Sequence, residues 1–89
     1  MAYVSKDLSV LAYANGFTLW HYTTLDLATV VDTTGYFNDA SDMLRVGDIV
    51  VANVDTAGTP GGGMFLVNAN ATGIVDVADM TQIGATDLR

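Results

Sequence analysis

The stretch Gly16–Thr24, "GFTLWHYTT", decides how this chain folds, because it is dense in aromatic and β-branched residues and follows directly on the turn signal Asn15-Gly16. Such a run reads as a strand. Period-two alternation places Phe17, Leu19, His21 and Thr23 on one face and Thr18, Trp20, Tyr22 and Thr24 on the other. Both faces carry large apolar groups. The strand is therefore expected to pack one face in its own core and to offer the other to a neighbouring subunit. The same alternation separates His21, the only histidine, from Trp20 and Tyr22, so these three do not line one pocket.

On the N-terminal side, "YVSKDLSVLAYANG" admits two readings: Leu8, Leu11 and Ala12 share a helical face, while Val4, Leu8 and Val10 suit an irregular extended arm. On the C-terminal side, Leu27–Asp32 reads as a second short strand ended by the "DTTG" turn. "YFNDASDML" then offers Asn38 as an N-cap, Asp39 and Asp42 near the positive helix end, and Leu44 as a core anchor. This segment is the one expected helix. A turn at Gly47-Asp48 precedes a strand from Ile49 to Val54, whose nearly unbroken apolar run suggests burial on both faces.

Asp55–Gly63, "DTAGTPGGG", reads as a flexible loop, since its glycine spacing fits no phosphate-binding pattern and no lysine follows. Met64–Ala69 and Gly73–Asp79 are expected as a hairpin, with residues 80–89 as an edge strand or tail and residues 1–14 as an arm. The expected fold is a single all-β domain over residues 1–89, a small barrel or sandwich of about five short strands with one short helix.

Composition supports that class. All ten acidic residues are aspartate, which prefers turns and caps, and eleven threonines and nine glycines accompany them. A chain of 89 residues has a marginal core, and this one has no cysteine for a disulfide and too few ligands for structural zinc. With 51% hydrophobic and 15% charged residues, part of the apolar surface is expected to face a partner. The net charge of −7, against three scattered cations, excludes a phosphate-backbone or anionic-membrane partner. "MAYVSKDLSV" lacks the basic start and apolar core of a signal peptide, so a place in the cytosol where it is made is expected.

Catalytic candidates are thin. His21 would need Ser5, Ser9 or Ser41 and an aspartate around it, and no G-x-S-x-G is present. The pairs Asp39/Asp42 and Asp76/Asp79 have sufficient structural reasons at a helix start and a strand end, and "NDASD" lacks the glycine and glutamate of a calcium loop. No enzyme, cofactor or dedicated metal site is expected. Aromatics on a β surface can also stack sugars, which leaves a carbohydrate-binding or attachment module as the alternative, using Trp20, Tyr22 or Tyr36.

Three phrases, "LSVLAYANGFTLWHY", "GYFNDASDMLRVGDIVVANV" and "FLVNANATGIVDVA", resemble small proteins of tailed bacteriophages found with head genes and as modules of phage fibres. The resemblance runs from about Leu8 to Val77 and carries no catalytic motif. It implies a structural virion protein on the capsid surface: a decoration or cement protein, or the base of a head fibre, usually a homotrimer bound to the major capsid protein. Phe17, Leu19, Trp20, His21, Tyr22, Tyr36 and Phe37 are the residues expected at the oligomer or capsid interface.

Overall fold

Asn15 and Gly16 both take positive φ, at 52° and 81°, as the favoured two-residue hairpin turns require. In the computed structural model, which describes residues 3–84, this turn closes a hairpin between β1 (Leu8–Ala14) and β2 (Phe17–Thr23). The residues expected to form a helical face or an arm are thus a strand from Leu8 onward, because a two-residue turn returns the chain directly along β2. Four further strands follow: β3 (Ile49–Val54), β4 (Gly61–Ala71), β5 (Ile74–Val77) and β6 (Thr81–Ile83). Residues 1, 2 and 85–89 of the expected arm and tail lie outside the described residues.

The strands form one mixed sheet in the order β1-β2-β3-β4-β5, with β6 also paired to β4. The β-dominated class expected from sequence holds, and the sheet stays open rather than closing as a barrel. All pairs are antiparallel except β2 with β3. A parallel pair needs a crossover, and residues 24–48 supply it, laying Val31, Phe37, Ala40 and Leu44 over one face of the sheet.

Two local expectations fail inside that crossover. Ala28–Val31 is a single α-helical turn, α1, where a strand was expected. The β-branched content of "LATVVD" is only a weak preference, and packing Val31 fully into the core overrides it. Around "FNDASD" the expected helix shrinks to a 3-10 turn at Asn38–Ala40. Asn38 does not cap it; its Oδ1 accepts the Val75 N–H of β5 at 2.9 Å.

The core lies between the crossover and the sheet. Trp20, Tyr22, Val50, Ala52, Val54, Phe65, Val67, Val75 and Val77 project from the strands, and Val31, Phe37, Ala40 and Leu44 meet them from the crossover. Alternation is clean along β2, where Thr18, Trp20 and Tyr22 are buried and Phe17, Leu19, His21 and Thr23 are half-buried.

Candidate interaction face and the polar clamp behind it

The crossover covers one face of the sheet, and the register defines what the opposite face carries. Leu19 lies beside Ile49, and Ile49 beside Leu66. One pleat along, His21 lies beside Val51, Val51 beside Met64, and Met64 beside Thr81. With Phe17, these side chains make a band across four strands that is half-buried at its centre and exposed at Met64 and Leu66. A sheet packed on one side only normally shows water a polar face. Here the centre of that face, from Phe17 and Leu19 through Ile49 and Val51 to Met64 and Leu66, is apolar.

A cleft of about 310 Å³ opens at one side of the band, lined by Ile49, Met64, Leu66, Ala78, Asp79 and Thr81. At the other side, His21 Nε2 lies 2.8 Å from Asn53 Oδ1, which places the ring proton on Nε2 as donor. Ser9 stands opposite His21 across β1 and β2, but no hydrogen bond joins them and no carboxylate orients the ring among the described residues.

The expected interface residues therefore divide. Phe17, Leu19 and His21 lie on the open face. Trp20, Tyr22 and Phe37 are buried in the chain's own core, and Tyr36 is half-buried and packs against that core. Their burial has a clear cause. Tyr3, Tyr22, Tyr36 and Phe37 form one aromatic cluster with ring centroids 5.0–6.5 Å apart, mostly edge to face.

Hydroxyls inside the cluster are organised into a relay. Tyr36 donates to Asp26 Oδ2 at 2.7 Å, so the Tyr22 hydroxyl, 2.9 Å away, donates to Tyr36 and in turn accepts the Val4 N–H at 3.1 Å. Burial first, and then the bonds to Tyr22 and Asp26, push the Tyr36 hydroxyl far above the ordinary tyrosine range. It stays protonated. Asp26 Oδ1 and the Tyr3 hydroxyl have no partner among the described residues.

The residue that sequence reading assigned only to a turn proves central. Asp48 is 1% exposed. Its Oδ1 accepts the Thr18 N–H, and its Oδ2 accepts the Trp20 indole N–H and the Arg45 N–H, each at 3.1 Å. Arg45, three residues earlier, donates to the Gly16 carbonyl at 2.9 Å and stacks its guanidinium 5.9 Å from the centre of the Tyr13 ring. The tight turn "RVGD" thus grips the β1-β2 hairpin at its turn and along β2, and fixes the tilt at which the open face is presented. A possible signal was the coincidence of a charged residue with the start of an apolar strand, since a carboxylate there needs several donors.

Among the described residues no group of three or more histidine or acidic side chains is placed to hold a metal ion, and no helix is long and apolar enough to cross a membrane. No family model, curated protein or solved structure matches this chain. The resemblance to phage head proteins stands on the quoted residues alone.

Proposed function

We propose that the protein is a structural component of a phage virion, a decoration or head-fibre-base protein that seats on the major capsid protein as a homo-oligomer and performs no catalysis. The observation that carries this reading is the open apolar band through Phe17, Leu19, Ile49, Val51, Met64 and Leu66. Removing such a surface from water contributes about 25 cal/mol per Å² of apolar area before the cost of association is met, which gives a small domain with a marginal core a reason to attach to something larger. The resemblance of the quoted phrases to phage head proteins supports the capsid as that larger body and implies three copies.

The test is cosedimentation of the purified protein with shells assembled from the major capsid protein. Wild-type protein is expected in the pellet, and Leu66→Asp, a change at an exposed position of the band, is expected in the supernatant with its fold unchanged. Wild-type protein that stays in solution at micromolar concentration overturns the proposal.

A further inference from the structure

The open face is not the only unpartnered surface. β1 is the end strand of the sheet, and no described strand pairs with its far edge. Six of its seven residues are exposed, with Val10, Leu11 and Tyr13 at 55, 56 and 64%. Solitary edges are normally protected by lysine, proline or an inward-pointing charge. This one carries none of these between Leu8 and Ala14, and its one protective device is the bulge at Leu11, where the register slips between Val10 and Ala12.

The other end of the sheet is different. The outer edge of β5 is already occupied by the crossover, because Gly35 N–H donates to the Val75 carbonyl and Val75 N–H donates to Asn38. β6 is only three residues long. Among the described residues, the free hydrogen-bonding edge of useful length is β1.

Charge decides what can approach it. The chain carries −7 overall, so two copies repel over most orientations, yet the 18 residues from Leu8 to Leu25 contain no aspartate, glutamate, lysine or arginine. The β1-β2 hairpin is the region where identical acidic chains can meet without opposing like charges. Antiparallel pairing of β1 with itself about a two-fold axis at Leu11 sets Leu8–Val10 of one copy against Ala12–Ala14 of the other. The two bulges then fall at the axis, and each straight run finds a straight partner.

We propose that β1 is a self-pairing edge: two copies join by antiparallel β1-to-β1 augmentation, extending the sheet across a two-fold axis near Leu11. The inference rests on the oligomeric part of the reading above and departs from it in number, since a contact of this kind joins copies in pairs whereas the phage resemblance implies three.

The absence of native cysteine makes the test direct. Val10→Cys, Leu11→Cys and Ala12→Cys variants of the full chain are oxidised at micromolar concentration, and mass is measured by light scattering before and after. A strand residue facing its own copy across the axis has the Cα separation a disulfide needs, so covalent dimer is expected to peak at one of the three positions. Leu11→Lys, at a position exposed in the monomer, is expected to raise the dimer dissociation constant by about tenfold or more, through two like charges at the axis. Met43→Lys, at an exposed crossover position outside the Arg45–Asp48 turn, serves as the control and is expected to leave it unchanged. A monomeric wild-type protein overturns the inference, as does a stable trimer in which none of the three cysteines cross-links. Shell binding is scored separately, so a dimer that ignores capsids sinks the virion reading alone, and a trimer that binds them sinks the edge alone.

Discussion

Trp20 donates its indole N–H to Asp48 Oδ2 at 3.1 Å, joining residues 28 positions apart in a site closed to water. The bond ties the middle of β2 to the start of β3, the one parallel pair of the sheet, and the same carboxylate holds the backbone of Thr18 and Arg45. A buried carboxylate with no cation bonded to it is tolerated only where donors surround it. Here three N–H groups do so, and the crossover ends where they converge.

Removing that carboxylate leaves three donors without an acceptor. Each buried unpaired N–H costs about 1–3 kcal/mol, so Asp48→Ala is expected to lose about 4 kcal/mol and to lower Tm by at least about 15 °C. Asp48→Asn keeps one accepting oxygen and turns an amide NH₂ toward donors, and is expected to fall between. Thermal melts check both, and hydrogen exchange of the Trp20 indole N–H, faster in Asp48→Ala than in the variant that keeps an accepting oxygen, separates loss of this bond from general loosening.

What the sequence revealed follows the range of the interactions involved. The Asn15-Gly16 turn and the strand at Phe17–Thr23 were legible because their causes are local: positive φ at two adjacent residues and a run of β-branched and aromatic side chains. The division of β2 into a core face and an outward face was legible for the same reason. Asp48 was not, since its donors come from residues 3, 28 and 30 positions away and nothing near it in sequence marks them. The crossover was misread twice, because its short helical turns exist to carry the chain between parallel strands and to bury Val31 and Phe37, a demand set by β3. Trp20 and Tyr22 looked like contact residues for a partner, and it is the tertiary aromatic cluster and Asp48 that take them inside.

Gly61–Gly63 was expected to be loop and is the first part of β4, for a reason that the close approach of β6 supplies. A Cβ at Gly63 would strike the Thr81 carbonyl oxygen and fall 2.8 Å from Met80 Sδ, while one at Gly62 meets Ala52 O at an ordinary 3.5 Å. Gly63→Ala is therefore expected to cost about 1–3 kcal/mol and to speed amide exchange in β6, whereas Gly62→Ala is expected to be close to neutral. Two melts and an exchange comparison at Gln82 decide it.

The β4-β5 turn stores a correctable strain. Thr72 and Gly73 both have positive φ, at 53° and 81°, and a β-branched residue is poorly suited to that region even with its hydroxyl donating to the Ala71 carbonyl. Thr72→Asn restores the residue this turn prefers and is expected to gain about 0.5–1 kcal/mol, raising Tm by about 3–6 °C. Gly73→Ala has open space around its Cβ and is expected to destabilise through conformation alone.

Asp32 makes the stability of the fold depend on pH. Burial, and after it the neighbouring carboxylates of Asp79 and Asp76, raise its pKa above the usual 3.8. The folded state then binds this proton more tightly than the unfolded chain, so between 3.8 and the raised value stability falls as pH rises, and above that window the penalty is constant. Asp32→Asn removes the charge while keeping a donor toward Asp79. The variant is expected to melt higher than wild type at pH 7 and equally at a pH below 3.8, with the difference growing between the two; a gap that does not change with pH would assign the effect to packing instead.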